Sequence, residues 1–306
     1  MKKPYYLSLK LLVPWKETER PCVWARRFGR EAPIELEIGF GNGAALVRRA
    51  AEHPERDFIG VEIFWESVKR ALRRAAQAGV ANLAIVQAPA RPFLERLVAP
   101  RALSAAVCLF PCPWPKERHA AHRLFSKPFL DVLNSRLADG GETEIVTDFE
   151  PYRDWLLEQV PGTGFEARWE EIPASYGTKY EQKWSDLGRE RFFRIVLAKR
   201  EHVGIPFMRD ETMRIHTIDR FDPEGFRPKG TTGVPTVQFK EFLYDPQRRK
   251  GMLRAFVAEE GLQQHFWIEV AEVEGRWKIR PAEGSGILPT AGAQLALDLA
   301  RDAAAG

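Results

Sequence analysis

The sequence predicts a doubly wound α/β sheet followed by a smaller α+β domain. Three observations support this prediction: short apolar runs alternate with helical stretches from Ile34 onward, glycines cluster where the first run ends, and the alternation stops around Arg200–Pro206. Repeated strand–helix units build a parallel sheet, because each crossover helix returns the chain to the same end of the sheet.

The elements of the first domain follow from the spacing of apolar residues. The predicted strands are Ile34–Ile38, Phe58–Ile63, Leu83–Gln87, Ala105–Phe110, Glu142–Thr147 and Phe192–Ala198. The predicted helices are Gly43–His53, Ser67–Gly79 and Phe129–Leu137, the last one ended by Asp139-Gly140-Gly141. The helix Ser67–Gly79 has a basic face, which we interpret as solvated; it contains Lys69, Arg70, Arg73 and Arg74.

Composition divides the chain into three parts. Residues 1–30 mix lysine, arginine, tryptophan and proline without a sustained period, and form either an arm that contacts nucleic acid or a packed extension. Residues 31–203 form the sheet domain, and residues 204–306 form an α+β domain of unknown role. The elements predicted for this last domain are strands at Thr236–Leu243, Leu253–Ala258 and Phe266–Val273 and a helix at Gly292–Ala304.

Bulk properties exclude several classes of protein. The chain is 44% hydrophobic and 29% charged, which is typical of globular rather than disordered proteins. It has no run of about 18 apolar residues, so no membrane span is predicted. Three cysteines without a disulfide framework and the lack of a signal-peptide stretch predict a cytoplasmic protein. The net charge of +4 is compatible with a polyanionic partner but does not require one, and the oligomeric state is not predicted.

A glycine-rich loop lies where the first strand turns into the first helix. It reads Glu37-Ile38-Gly39-Phe40-Gly41-Asn42-Gly43, and its glycines let the backbone approach a ligand that side chains would block. Glu62 ends the next strand about 20 residues later, where a carboxylate accepts hydrogen bonds from ribose hydroxyls. The two features predict a nucleoside cofactor, with Gly39, Gly41, Gly43 and Glu62 as cofactor-binding residues.

Glu37 distinguishes between two nucleoside cofactors. The glycines also fit the dinucleotide fingerprint, so a dinucleotide oxidoreductase is one alternative. A carboxylate two places before Gly39 attracts the cationic methionine end of S-adenosylmethionine, whereas it repels a pyrophosphate. We therefore predict S-adenosylmethionine as the cofactor, bound in part by Glu37.

A second motif closes the fourth predicted strand. It reads Leu109-Phe110-Pro111-Cys112-Pro113-Trp114-Pro115-Lys116-Glu117-Arg118-His119. This segment resembles the Pro-Asp-Pro-Trp…Lys…Arg-His signature of the bacterial tRNA (guanine-N7)-methyltransferases. Three further landmarks of that family follow the right order: Glu37 to Gly43, Thr147-Asp148-Phe149-Glu150, and Thr178-Lys179-Tyr180-Glu181. The resemblance covers about residues 22–200.

The resemblance implies a class I methyltransferase with a seven-stranded Rossmann-like sheet, acting on N7 of a guanine in the tRNA variable loop. The residues that it implies for substrate binding are Lys116, Arg118, His119, Asp148, Thr178 and Glu181. The implied catalytic positions are Cys112, Asp148 and Glu181. Structural alternatives are a helix cap for Asp148, a solvated loop for Lys116 and Arg118, and a capping box for Thr178 and Glu181.

Two positions depart from the family signature. Cys112 replaces an aspartate, and a cysteine thiol is mostly neutral near pH 7, so Cys112 is either a weakened catalytic position or a packing residue. Pro89 replaces an acidic residue near the cofactor's adenine, and its side chain neither donates nor accepts hydrogen bonds. Guanine N7 has a lone pair and no proton, so slow activity is predicted. The alternative is an inactive tRNA- or RNA-binding protein that retains the fold.

Two further clusters have a functional and a structural interpretation. Cys108, Cys112, His119 and His122 offer soft metal ligands, but Cys108 lies inside an apolar strand and the spacing is not a usual zinc pattern, so no metal is predicted. In the last domain, basic and aromatic residues either extend a tRNA-binding surface or form a solvated turn beside core aromatics. They are Arg248, Arg249, Lys250 and Arg254 with Phe239, Phe242 and Tyr244.

Overall fold

The computed structural model describes residues 7–174, residue 176 and residues 191–305. The chain divides into two compact units, of which the first ends at Met208 and the second begins at Arg209. Within the described ranges, no helix has the length and apolar character needed to cross a membrane. The assignment of separate functions to residues 31–203 and 204–306 stays a prediction.

The first unit is built on an eight-stranded sheet. Its strands are β1 (Leu12–Val13), β2 (Ile34–Ile38), β3 (Asp57–Glu62), β4 (Leu83–Gln87), β5 (Leu103–Leu109), β6 (Leu137–Thr147), β7 (Phe165–Ile172) and β8 (Phe192–Lys199). Their order is β1-β4-β3-β2-β5-β6-β8-β7, and all pairs are parallel except those of β8 with β6 and β7. The predicted α/β fold is confirmed, with β1 as an additional edge strand.

The strand order reverses beside β2. From β2 the chain moves outward to β3 and β4, and then crosses to β5 on the other side of β2. In open parallel sheets a crevice forms at this switch point, outside the carboxyl ends of the strands. The ends of β2 and β5 therefore position the candidate site.

The described α-helices of this unit include three that were not predicted, namely the first, fourth and sixth. The helices are α1 (Trp24–Phe28), α2 (Ala44–Glu52), α3 (Trp65–Ala78), α4 (Ala90–Leu97), α5 (Lys127–Arg136) and α6 (Glu150–Gln159), with a 3₁₀ helix at Glu117–His122. Prolines obscure the apolar pattern of α4 and α6. Pro92 and Pro151 lie in the first turn of these helices, where a backbone N–H has no intrahelical partner to lose.

The prediction that Asp139-Gly140-Gly141 ends a helix is wrong. The helix α5 ends at Arg136, and β6 already begins at Leu137. The pairing of β5 with β6 shifts register over this segment, so its glycines lie in a bulge of the strand. Gly140 has a φ of 74°, which glycine adopts without the steric cost of a side chain.

Residues 12–28 are packed rather than free. β1 pairs with β4 at the edge of the sheet, and Val13, Trp15 and Trp24 are buried. The backbone N–H of Cys22 donates to the carbonyl oxygen of Leu97 at 2.9 Å. The apolar side chains among the basic residues therefore act as anchors of a packed extension.

The second unit is a five-stranded antiparallel sheet packed against one helix. Its elements are β9 (His216–Ile218), β10 (Thr236–Asp245), β11 (Lys250–Glu259), β12 (Leu262–Val273), β13 (Arg276–Pro281) and α7 (Ala291–Ala305). The strand order is β10-β11-β12-β13-β9. The core joins Ala293, Ala296 and Leu297 of α7 to Val257 and Ile268 of the sheet. The predicted α+β region is confirmed, whereas β9 and β13 were not predicted.

Candidate active site

A cavity of about 960 Å³ opens at the switch point of the first unit. Its walls come from five connections at the carboxyl ends of the strands, namely residues 37–42, 61–64, 88–90, 108–115 and 148–149. The glycine-rich loop and the proline-rich motif therefore belong to one site, although about 70 residues separate them in the chain.

Glycines shape the loop between β2 and α2. Gly39, Gly41 and Gly43 have φ values of 69°, 55° and 72°, in the left-handed region that favours glycine. Gly39 and Gly41 line the cavity, whereas Gly43 faces α3. A Cβ atom on Gly43 would lie 2.6 Å from the Cβ of Ala71. Gly43 thus permits the close packing of α2 on α3 that holds the loop in place.

Glu37 presents a buried carboxylate to the cavity. Its side chain is 2% exposed, and its Oε2 atom has no hydrogen-bond partner among the described residues. Burial raises the pKa of this carboxyl to about 7, against the opposing effect of the Arg49 and Arg48 charges. A buried acceptor without a partner is costly unless a ligand satisfies it. The site therefore fits a cationic group, as in the methionine end of S-adenosylmethionine.

Glu62 is fixed by backbone amides at the end of β3. Its Oε2 accepts a hydrogen bond from the N–H of Gly41 at 3.1 Å, and its Oε1 accepts from Ile63 and Phe64 at 2.8 and 3.1 Å. A carboxylate offers about four acceptor positions, so one remains for a hydroxyl of the ligand. The arrangement fits a ribose hydroxyl, as the sequence predicts.

The wall beyond Glu62 is apolar. Ile63, Ala88 and Pro89 line it. The backbone N–H of Ala88 donates a hydrogen bond to the carbonyl oxygen of Glu62 at 3.0 Å, so it is not free to bind a ligand. Pro89 precedes α4 in an extended conformation and adds no polar group. This part of the cavity fits the flat face of a purine through apolar contact rather than through a carboxylate.

The proline-rich motif has a constrained backbone. Phe110 and Trp114 have φ values of 58° and 43°, which non-glycine residues seldom adopt. Phe110 packs edge-on against Phe192, with ring centroids 5.5 Å apart. Between the two constrained residues, Cys112 is exposed and lines the cavity. The interpretation of Cys112 as a packing residue is therefore wrong, because its thiol faces the cavity and not the core.

Arg123 holds this motif in place, and sequence reasoning did not identify it. It is 9% exposed, and its Nε donates to the carbonyl oxygen of Pro113 at 3.0 Å. Its guanidinium lies over the ring of Trp155 in α6, 5.0 Å from the centroid. A basic residue directly before the apolar pair Leu124-Phe125 was the available signal.

The other predicted residues are distributed unevenly around the cavity. Asp148 lines the cavity. Lys116, Arg118 and His119 do not line the cavity. Lys116 directly precedes the 3₁₀ helix, and Arg118 and His119 lie within it. There Trp114, His119 and His122 form a ring cluster with centroids 5.1 to 6.0 Å apart. Thr178 and Glu181 lie outside the described residues.

The candidate metal ligands do not form a metal site. Among the residues that the structure describes, no three histidine, cysteine, aspartate or glutamate side chains are grouped so that they could hold a metal ion. Cys108 is buried in β5, whereas Cys112 faces the cavity.

Comparisons with known proteins give the following matches. A family model described as "Putative methyltransferase" matches residues 31–194. A tRNA (guanine-N(7)-)-methyltransferase from Thermotoga maritima is 30% identical over 272 residues, which cover 87% of each chain. One from Chlorobium phaeobacteroides is 42% identical over 170 residues, covering 56% of this chain and 83% of the relative. A solved 16S rRNA (adenine(1408)-N(1))-methyltransferase from Catenulisporales acidiphilia is 18% identical with a TM-score of 0.45, covering 58% of this chain and 93% of that one.

Proposed function

This chain belongs to the tRNA (guanine-N(7)-)-methyltransferase family, and we propose that it transfers a methyl group from S-adenosylmethionine to N7 of a tRNA guanine. The observation that carries this proposal is the single cavity that joins the buried carboxylate of Glu37 to Cys112 and Asp148. One end of the cavity fits a cationic nucleoside, and the other end carries the motif at which the family binds guanine.

The cofactor end uses Glu37, Gly39, Gly41 and Glu62, whereas Gly43, which the sequence also predicts to bind the cofactor, packs against α3 outside the cavity. Glu37 neutralises the cationic methionine end, and Glu62 accepts a hydrogen bond from the ribose. Gly39 and Gly41 leave room for the ligand. S-adenosylmethionine supplies a methyl group on a sulfonium centre, so the remaining work of the protein is to align the acceptor atom.

At the guanine end the protein must position a base and stabilise charge. Guanine N7 attacks through an in-plane lone pair and has no proton to lose, so no general base is needed. The guanine becomes cationic as the bond forms, and the carboxylate of Asp148, with that of Glu181, stabilises this charge. Thr178 orients the base, and Lys116, Arg118 and His119 bind neighbouring phosphates. Cys112 occupies the catalytic position at which the family signature has an aspartate.

Two finer parts of the proposal are the position of the guanine within the tRNA and the cellular compartment of the protein. We place the guanine in the variable loop, as the motif order of the family implies. We place the protein in the cytoplasm, where its three free cysteines stay reduced.

Methyl transfer to unmodified tRNA tests the function. The protein is incubated with labelled S-adenosylmethionine and a tRNA transcript, and the digested nucleosides are separated to detect 7-methylguanosine. The test variant is Asp148→Asn, which removes the charge of a carboxylate that lines the cavity. Its matched control is Asp154→Asn, which removes an exposed carboxylate of α6. Loss of product only with Asp148→Asn supports the proposal. Binding of tRNA without any 7-methylguanosine would instead support the inactive RNA-binding alternative.

A further inference from the structure

We propose that the outer face of α3 is a docking surface for phosphates of the tRNA, separate from the site that receives the reacting guanine. This outer face consists of Arg70, Arg73 and Arg74. The proposal rests on the proposed function, because it takes tRNA as the substrate.

The three arginines lie together on the solvent side of α3. The opposite side of the helix buries Val68, Ala71, Leu72 and Ala75. Spacings of three and four residues place Arg73 and Arg74 beside Arg70, and all three side chains are exposed. Like charges at these spacings weaken a helix, so the cluster does not serve the stability of the fold.

Among the described residues, no salt bridge neutralises the cluster, and Glu66 acts on Arg70 and Arg73 only through the longer-range attraction of its charge. Glu66 itself pairs with Lys69 of the same helix at 2.6 Å. Several exposed arginines elsewhere in this unit form salt bridges. Examples are Arg48 with Glu52, Arg101 with Asp139, Arg168 with Glu142 and Arg200 with Glu166. The unpaired charge on α3 is therefore available to an anionic partner.

Exposed apolar side chains connect this face to the cavity. Ile63, Phe64 and Trp65, at the start of α3, are 52%, 65% and 37% exposed. Phe64 and Arg70 also line the cavity, so the surface begins at the edge of the active site. Adjacent exposed aromatic and cationic residues suit RNA, because bases stack on rings while arginine forks bind phosphate oxygens. A tRNA with one base in the cavity is the polyanion that geometry places here.

The test uses the full chain with Arg73→Gln and Arg74→Gln, and leaves Arg70 in the cavity wall. The dissociation constant for unmodified tRNA is measured between about 50 and 200 mM salt. Loss of two phosphate contacts should reduce the slope of log Kd against log salt by about 1.5 and raise KM for tRNA about fivefold or more. The kcat and the affinity for S-adenosylhomocysteine should stay unchanged. The control pair Arg168→Gln and Arg200→Gln removes the same charge from paired positions and should change neither quantity.

Two outcomes separate this inference from the proposed function. If all variants form 7-methylguanosine with the same salt slope, the α3 surface does not dock tRNA although the function stands. If the wild type binds no tRNA and forms no 7-methylguanosine, the proposed function fails, and this proposal fails with it.

Discussion

The carboxylate of Glu62 accepts a hydrogen bond from the backbone N–H of Gly41 across 3.1 Å, which joins the end of β3 to the loop after β2. This contact connects the two sequence features that predicted a nucleoside cofactor. The acid that we propose to bind the ribose therefore also fixes the glycine-rich loop.

Glu62→Gln should therefore weaken binding of S-adenosylhomocysteine by roughly 10- to 100-fold, as expected for the loss of a charge-assisted hydrogen bond. The glutamine amide also has only one oxygen, so its NH₂ group would face backbone N–H groups that donate to the Glu62 carboxylate in the wild type. Isothermal titration calorimetry measures the effect. Glu66→Gln, which removes an exposed carboxylate four residues further on, is the control and should bind as the wild type does. Equal affinities for both variants would contradict the assignment of Glu62.

The ionisation of Glu37 should make cofactor binding depend on pH. Burial raises the pKa of this carboxyl to about 7, and a cationic ligand binds the ionised form better. The affinity for S-adenosylmethionine should thus rise with pH up to about 7 and then level off. Calorimetry near pH 6.5, in buffers with different ionisation enthalpies, should detect release of a proton on binding. A pH-independent affinity in the wild type would show that Glu37 does not meet the cation.

The raised pKa of Glu37 also predicts how the stability of the ligand-free protein changes with pH. Because the folded pKa of Glu37 lies above its ordinary value of 4.5, the folded state holds the proton that the unfolded state has lost. Its contribution to stability is complete below about pH 4.5 and falls as the pH rises to about 7, by roughly 3 kcal/mol. Glu37→Gln should remove this fall, which denaturant unfolding at pH 5 and pH 8 measures. If the free energies of unfolding of the wild type and Glu37→Gln change with pH in the same way, Glu37 does not have a raised pKa in the folded protein.

Two glycines of the same loop should respond differently to alanine. A Cβ atom on Gly43 would lie 2.6 Å from Ala71, whereas one on Gly41 would meet no atom within 4 Å. Gly43→Ala should lower the free energy of unfolding by roughly 2–4 kcal/mol, because the α2–α3 contact must open. Gly41→Ala should cost only about 1 kcal/mol, the steric cost of its left-handed φ. Similar losses in urea unfolding would mean that packing against α3 does not limit this position.

The sequence predicted the parts of the site that lie within single segments. Strand, glycine turn and helix follow one another around Gly39, and Glu62 follows in register on the next strand, so local patterns were sufficient there. The proline-rich motif was found in the same way. In each case the information lies in consecutive residues.

What could not be predicted depends on contacts between distant segments. Arg123 donates a hydrogen bond to Pro113 and lies over the ring of Trp155 in α6. No local sequence pattern connects these three residues. Likewise, β7 was missed because the edge strand Phe165–Ile172 exposes most of its side chains, so it lacks the apolar alternation of a half-buried strand. It is likewise visible only in three dimensions that no carboxylate of the described residues forms a salt bridge with Arg73 or Arg74.

The basic turn of the second unit should not contribute to tRNA binding. Arg249 and Lys250 form ion pairs with Glu272 and Glu269, and residues 209–306 contain 14 lysines and arginines against 15 aspartates and glutamates. Neutralised side chains release no counterions when RNA binds. Arg248→Gln, at a position 82% exposed, should leave both the tRNA affinity and its salt dependence unchanged in the titration used for α3. A shallower salt dependence would place tRNA on this unit.

The side chain at position 112 should affect the rate of methyl transfer. Its thiol is exposed to the same cavity that Asp148 lines, where the family signature has an aspartate. A thiol at this position should stabilise the developing guanine cation less than a carboxylate would. Because N7 needs no base, this loss lowers the rate without changing the mechanism.

Cys112→Asp should therefore raise kcat in single-turnover methyl transfer to tRNA. A well-placed electrostatic group contributes on the order of a hundredfold, and restoring one in a pocket adapted to cysteine should recover about tenfold. Cys112→Ser keeps a small neutral group and should remain within about twofold of the wild type. The affinity for S-adenosylhomocysteine should be equal in all three proteins, because Glu37 and Glu62 are unchanged. If Cys112→Asp is no faster than Cys112→Ser, position 112 does not stabilise the charge on the guanine, and Asp148 with Glu181 must provide that stabilisation alone.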